Sequence, residues 1–178
     1  FREVSFFARQ RRAWKKGKVS KGIAQASSML FLCYGNINRS ALADVMVRGY
    51  AEDSGIAVIS AGFHHHPDRP SDPVMVDVAG QFGVDMSAMR STRVTEQMLQ
   101  DSDIIFVMEK SHYDRLIAVD PRLAEKVYLL GAHPNTSGWP AEIADPYGQA
   151  QGSYVACYDR IAEAVDIIKA VIAERTGA

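Results

Sequence analysis

Cys33, Arg39 and Ser40 stand in a C-x5-R-S pattern whose residue types and spacing suit phosphate chemistry. The pattern lies between an apolar run and a segment with helical periodicity. Its backbone N–H groups and the helix dipole should therefore hold an anion of phosphate size. The planar guanidinium of Arg39 can engage two oxygens of that anion. The same positive surroundings favour the thiolate of Cys33, to which the hydroxyl of Ser40 can donate. These residues predict a cysteine nucleophile directed at a bound phosphorus atom.

The pattern also has a simpler interpretation, in which Cys33 is only a buried core residue at the end of a strand. A cysteine and an arginine at this spacing can occur by chance. The position between a strand and a helix, with Gly35 allowing close backbone approach and Ser40 following the arginine, favours catalysis over this structural role.

The elements that must position these residues follow from the hydrophobic pattern. Short, almost continuous apolar runs predict four strands, at residues 29–33, 57–61, 103–108 and 126–130. Helical periodicity follows or separates them, at residues 40–53, 73–83, 94–100, 111–119 and 154–175. This alternation predicts a single-domain α/β fold: an open four-stranded parallel sheet flanked by helices, with the phosphate-binding loop after the first strand. The long loop 132–152 also follows a strand, so it should reach the same edge of the sheet.

Composition fits a globular protein with a separate basic arm. The chain has 178 residues, 47% of them apolar, and only two cysteines, Cys33 and Cys157, which fits a reducing, cytoplasmic setting. Residues 1–27 hold eight basic side chains and one acidic one, whereas the whole chain has a net charge of −1. We therefore predict a basic N-terminal extension over 1–27, in helical form, and a catalytic domain over 28–178.

The composition of the basic extension over residues 1–27 is compatible with several partners. Its aromatic residues Phe6, Phe7 and Trp14 alternate with basic ones, a composition that permits contact with an anionic membrane surface or nucleic acid. A helix docked on its own domain or on a neighbouring subunit explains the pattern equally well, and we expect no nucleic-acid partner.

Residues 33–40 resemble the phosphate loop of the low-molecular-weight protein tyrosine phosphatases, whose pattern is C-x-G-N-x-C-R-S. The resemblance extends over about residues 29–175, through Ser60-Ala-Gly, Asp72-Pro, Gly83-Val-Asp, Val107-Met and Asp145-Pro-Tyr. The segment 143–149 is most similar to that of bacterial members paired with exopolysaccharide tyrosine kinases.

The family resemblance implies a role for each matching residue. Cys33 is the expected nucleophile, Arg39 the phosphate clamp and Asp145 the general acid and base, acting through a phosphocysteine intermediate without metal or cofactor. The expected substrate- and phosphate-binding residues are Tyr34, Gly35, Asn36, Ile37, Asn38, Ser40 and Tyr147. Without the resemblance, Asp145 would be taken for an ordinary Asp-Pro turn residue.

Two loop positions bear on specificity and regulation. Asn38 occupies the place of a second cysteine that commonly protects the nucleophile by a reversible disulfide, so that protection should be absent here. Relatives directed at phosphoarginine resemble this loop but carry Thr where this chain has Ile37. The apolar side chain favours phosphotyrosine.

The expected partners are phosphotyrosine proteins, among them a tyrosine autokinase, and inhibitory phosphate, vanadate or sulfate in the loop. Two other functions remain as alternatives. An arsenate reductase of the same fold would need further cysteines besides Cys157, and a non-catalytic phosphotyrosine-binding protein would need neither Cys33 nor Asp145. The run His64-His-His could bind a metal, but adjacent histidines seldom converge on one ion, so a solvated loop is favoured.

Overall fold

A four-stranded parallel sheet lies at the centre of the protein, for which a computed structural model describes residues 2–135 and 140–176. The strands are β1 Ser28–Cys33, β2 Ala57–Gly62, β3 Ile104–Val107 and β4 Val127–Leu129. They pair in the order β2-β1-β3-β4, all parallel. The predicted α/β fold with four parallel strands is confirmed.

Seven α-helices and two short 3₁₀ turns are formed by the described residues. The helices are α1 Arg2–Lys15, α2 Lys18–Gln25, α3 Arg39–Asp53, α4 Pro73–Gln81, α5 Glu96–Asp101, α6 Lys110–Val119 and α7 Gln151–Thr176. The 3₁₀ turns are Pro121–Glu125 and Leu130–Ala132. Each helix predicted from periodicity is present, with ends displaced by at most three residues. None of the helices in the described part is long and apolar enough to cross a membrane.

The strand order determines where the functional crevice lies. The chain runs from β1 outward to β2 and then crosses to β3 on the other side of β1, so the order reverses between β1 and β3. All residues of β3, and all of β1 except Ser28, are buried, which explains why both strands appear in the sequence as continuous apolar runs. Parallel sheets bind ligands beyond the carboxyl ends of the strands at such a reversal. Cys33 ends β1 at this point.

The basic arm packs against its own sheet. Phe6 and Trp14 of α1 are buried, and the Trp14 ring stacks on Phe106 of β3 at a centroid distance of 5.9 Å. Val19 and Ile23 of α2 are also buried in the same core. Of the arrangements that the sequence left open, the structure shows a helix docked on its own chain. The boundary at residues 27 and 28 stays a prediction.

Candidate active site

The loop between β1 and α3 surrounds the sulfur of Cys33 with hydrogen-bonding groups. Asn36 donates its backbone N–H to Cys33 Sγ at 3.2 Å, and Ser40 Oγ lies 3.0 Å from the same sulfur. The side chain of Asn36 donates to Ser40 Oγ at 2.9 Å, and the carbonyl oxygen of Ala61 lies 3.3 Å from the same hydroxyl, so the hydroxyl hydrogen of Ser40 can be given either to the sulfur or to that carbonyl. The Asn36 N–H and the Ser40 hydroxyl are thus the hydrogen-bonding groups closest to the Cys33 sulfur.

Asn36 is the brace of this loop. Its φ of 53° lies in the left-handed region, which asparagine tolerates better than most residues. Its side-chain oxygen accepts the backbone N–H of Thr92 at 2.8 Å, which ties the loop to a segment far along the chain. Gly62 completes the support, because a Cβ there would lie 2.7 Å from the carbonyl oxygen of Tyr34. The end of β2 therefore needs glycine at this position.

Arg39 links the phosphate loop to two carboxylates. Its side chain is only 1% exposed; Nη2 donates to Asp145 Oδ2 at 2.7 Å, and Nη1 donates to Glu109 Oε1 and to the carbonyl of Ile143. Burial lowers the pKa of Arg39, but negative charge on Cys33, Asp145 and Glu109 outweighs that effect and raises it. The guanidinium is thus held as a permanent cation beside the sulfur.

Most of the predicted site residues meet around one cavity of about 190 Å³. Its lining comprises Cys33, Tyr34, Gly35, Ile37, Asn38, His64, Arg69, Asp145 and Tyr147. The remaining three, Asn36, Arg39 and Ser40, are buried and reach the site through the hydrogen bonds given above. Tyr147 is 65% exposed, and its backbone N–H is donated to Asp145 Oδ1 at 3.2 Å. The structure therefore brings together all ten catalytic and binding residues that the sequence proposed for this site.

Comparison with known proteins identifies the family. The family model described as "Low molecular weight phosphotyrosine protein phosphatase" matches residues 28–176. The chain belongs to this family. The family and the enzyme class expected from the sequence, protein-tyrosine phosphatase, are both confirmed.

Named relatives cover most of this low molecular weight phosphatase. "Low molecular weight protein-tyrosine-phosphatase Etp" of Escherichia coli K12 is 30% identical over 138 residues, which is 78% of this chain and 89% of the relative. The crystal structure of the Erwinia amylovora tyrosine phosphatase AmsI superposes with a TM-score of 0.72 at 29% identity, covering 80% of this chain and 91% of that one. The arginine phosphatase YwlE of Geobacillus stearothermophilus has a TM-score of 0.71 at 24% identity, with 80% and 90% covered, which shows the shared fold alone.

Sequence reasoning missed Glu109 in this phosphatase. Glu109 is half-buried, and its hydrogen bond and ion pair with Arg39 orient the guanidinium. Burial would raise the pKa of Glu109, but the contact with Arg39 outweighs burial and lowers it. One signal was present in the sequence: an acidic residue directly after the apolar run of β3, at the edge where Cys33 ends β1.

A buried polar network surrounds Asn38, the position at which the phosphatase departs from the family pattern. Asn38 Nδ2 donates to Asp72 Oδ2 at 3.3 Å, and the hydroxyl of Tyr154 donates to the same oxygen at 2.8 Å. Tyr154 also accepts the backbone N–H of Gly148 at 3.3 Å. Asn38 therefore joins the phosphate loop to α7 and to the segment that carries Tyr147.

The other residues that the sequence singled out either have no role in the expected reaction or lie outside the described residues. Cys157 is buried on α7, and burial raises the pKa of its thiol to about 12, so it is a core residue. Within residues 2–135 and 140–176, no group of three or more His, Cys, Asp or Glu side chains could hold a metal ion. His64, His65 and His66 lie within these residues and form no such group. Trp139, which could flank the cleft or cover the sheet edge, lies outside the described residues.

Proposed function

We propose that this protein hydrolyses phosphotyrosine in protein substrates through a phosphocysteine intermediate formed on Cys33. The observation that carries the proposal is the convergence of three groups: the Cys33 sulfur with its donors, the buried Arg39, and Asp145, which is 2.7 Å from Arg39. A nucleophile, a fixed cation and a carboxylate at one cavity are the parts that phosphoryl transfer to cysteine requires.

The first step transfers the phosphoryl group. The thiolate of Cys33 attacks phosphorus, the bond to the tyrosine oxygen breaks, and Asp145 gives its proton to the departing phenolate. Arg39 and the loop N–H groups hold the oxygens whose charge grows in the transition state. The buried Nε of Arg39, which has no hydrogen-bond partner among the described residues, is a further donor for such an oxygen.

The second step restores the enzyme. Asp145, now a carboxylate, takes a proton from water as the water oxygen attacks phosphorus, and the S–P bond breaks to release phosphate. The thiolate of Cys33 leaves with its negative charge stabilised by the Asn36 N–H and the Ser40 hydroxyl. The same donors would hold inorganic phosphate, vanadate or sulfate as inhibitors.

The walls of the cavity support an aromatic phosphoester. Tyr34, Ile37 and Tyr147 place apolar surface beside the phosphate position, where a phenyl ring can pack. For the biological substrate we propose a tyrosine kinase or another protein of exopolysaccharide synthesis, which rests on the resemblance of segment 143–149. The alternative of an arsenate reductase has no support from Cys157, because that thiol is buried.

Steady-state hydrolysis of p-nitrophenyl phosphate and a phosphotyrosine peptide tests the mechanism. We expect Cys33→Ser to abolish turnover and Asp145→Asn to lower kcat by about 10²- to 10⁴-fold, the usual contribution of a general acid. Cys157→Ala is the matched control and should retain activity. Vanadate binding without turnover would indicate a non-catalytic binding protein, whereas loss of activity in Cys157→Ala would indicate a thiol relay.

A further inference from the structure

One wall of the catalytic cavity carries positive charge that no carboxylate of the described residues balances. Arg69, in the loop between β2 and α4, donates from Nη2 to the carbonyl of Gly35 at 2.6 Å and from Nε to the carbonyl of His66 at 3.0 Å. Both acceptors are neutral, and within the described ranges Arg69 has no carboxylate at ion-pair distance. The guanidinium is therefore fixed in place at the cavity while its charge stays uncompensated.

His64 adds a hydrogen-bond donor to the same wall. Its Nδ1 accepts the backbone N–H of His66 at 3.1 Å, so the neutral ring must carry its proton on Nε2. His64 lines the cavity, and its ring meets that of Tyr34 edge-on at 5.8 Å. Whether the ring is neutral or protonated, Nε2 is a donor.

Arg115 of α6 extends the positive charge around the rim. Its guanidinium lies 5.5 Å from the ring centroids of both Tyr34 and Phe63, so Arg115 and His64 both contact the Tyr34 ring. Arg115 is exposed and has no ion pair with the described residues. The carboxylates of the site, Asp145 and Glu109, are instead paired with Arg39. Of the charged side chains that line the cavity, Asp145 is therefore paired with Arg39, whereas Arg69 has no carboxylate partner among the described residues.

We propose that Arg69 and His64, with Arg115 beside them, form a subsite for the carboxylate of an aspartate or glutamate next to the phosphotyrosine. This inference rests on the proposed function. A peptide whose phosphate reaches Cys33 can place a neighbouring residue against this wall, because Arg69 and His64 line the same cavity as Cys33. Fixed donors that already hold positive charge bind a carboxylate at little ordering cost.

Matched peptides test the subsite. Each pair has phosphotyrosine flanked either by Asp and Glu or by Asn and Gln, so only charge differs. We expect wild type to show a kcat/KM about tenfold higher for the acidic peptide, a preference that declines as salt is added. The preference should fall to about twofold or less in Arg69→Gln and in His64→Phe, and Arg115→Gln should reduce it partly. Arg12→Gln, an exposed arginine on α1, is the control for net charge and should retain it.

The ratio of the two kcat/KM values within one variant is the readout, so a general loss of activity cancels. If wild type hydrolyses both peptides equally, or if the ratio survives both Arg69→Gln and His64→Phe, the subsite is overturned and the proposed function stands. If wild type hydrolyses neither peptide nor p-nitrophenyl phosphate, the proposed function fails and the subsite fails with it. His64→Phe keeps the test valid if Arg69→Gln disturbs the phosphate loop.

Discussion

Asp72 shows how one buried side chain can hold the loop that carries Cys33 from a distance. Its Oδ1 accepts the N–H of Val74 at the start of α4, while its Oδ2 accepts from Asn38 and Tyr154. Tyr154 in turn accepts the N–H of Gly148. The phosphate loop, α4, α7 and the segment bearing Asp145 are thereby connected through one carboxylate.

Tyr154→Phe should weaken catalysis without touching the reacting atoms. The change removes the hydroxyl that joins Asp72 to Gly148, leaves the ring in place, and releases the segment next to Tyr147. Because a hydrogen bond of this kind contributes about 0.5–1.5 kcal/mol, we expect kcat/KM for a phosphotyrosine peptide to fall by roughly two- to tenfold. Steady-state kinetics of wild type and Tyr154→Phe, each measured with the same fraction of folded protein, give this ratio of kcat/KM.

Tyr158→Phe is the control for this prediction. Tyr158 lies on the same helix, is buried, and stacks on Phe82 at 4.3 Å. Equal kcat/KM values for the two variants would mean that the hydroxyl of Tyr154 does not position the loop.

At the scale of single residues, the sequence predicted functional residues that lie close together along the chain and missed those that act through distant partners. Cys33, Arg39 and Ser40 are close in sequence, so their spacing alone indicated a phosphate loop. Glu109 and Asp72 act through partners about 70 and 34 residues away. No periodicity encodes such contacts, because they follow from the order of strands in the sheet. Asp145 was predicted only through the family resemblance, for the same reason.

At the scale of secondary-structure elements, α1 covers the β4 edge of the sheet. β4 is an edge strand, and its Leu129 donates N–H to Gln10 Oε1 at 3.0 Å and accepts from Trp14 Nε1 at 3.0 Å. Two side chains of α1 thus replace the hydrogen bonds of a missing strand. Unpaired edges invite association with other chains, and covering them is one way in which proteins avoid it.

Trp14→Ala should destabilise the whole protein rather than only the arm. The change removes a buried indole from its stack on Phe106 and leaves the Leu129 carbonyl unpaired, for which we expect a loss of about 3–5 kcal/mol in the free energy of unfolding. Gln10→Ala should cost about 1–3 kcal/mol by leaving a buried N–H without a partner. Urea unfolding followed by circular dichroism gives both values.

Lys15→Ala tests the alternative that the arm contributes little. Lys15 is exposed on the same helix, so its replacement should leave the unfolding midpoint nearly unchanged. A Trp14→Ala midpoint equal to that of Lys15→Ala would contradict the docking of α1 as a structural element. The sequence left this docking as one of several alternatives, since the basic residues dominated the pattern and the apolar positions of α1 match an edge that exists only in the folded sheet.

At the scale of the whole molecule, buried histidines couple folding to pH. Burial lowers the pKa of His112 from 6.5 to about 4; the charge of Glu109 opposes this, and Arg39 and Arg115 reinforce it. His112 stacks on Phe63 at 5.5 Å, and its buried Nδ1 has no hydrogen-bond partner among the described residues. Burial also lowers the pKa of His133 to about 4, reinforced by Arg160 and Arg11. Both rings are neutral in the folded protein near pH 6.

The free energy of unfolding should therefore fall as the pH drops from about 6.5 towards 4. Between pH 6.5 and 4 the histidines of the unfolded chain bind protons, whereas His112 and His133 of the folded protein do not. The free energy of unfolding rises with pH wherever the unfolded state binds more protons than the folded state. Since one pKa unit corresponds to about 1.4 kcal/mol, each histidine contributes about 3 kcal/mol that is complete above pH 6.5 and lost near pH 4. Glu109, whose pKa is below its ordinary value of 4.5, adds a further loss at still lower pH.

Urea unfolding between pH 4 and 8 measures this dependence, and His112→Gln isolates one of its sources. The variant should be less stable at neutral pH, but its stability should decline less steeply between pH 6.5 and 4, by the equivalent of one proton. Gln100→Ala, at an exposed position without a titratable side chain, should keep the slope of wild type. A wild-type stability that stays constant from pH 7 to 5, or an unchanged slope in His112→Gln, would contradict the assignment. The change in the free energy of unfolding with pH distinguishes titration of the His112 ring from a simple loss of packing, because a loss of packing lowers the urea midpoint at every pH.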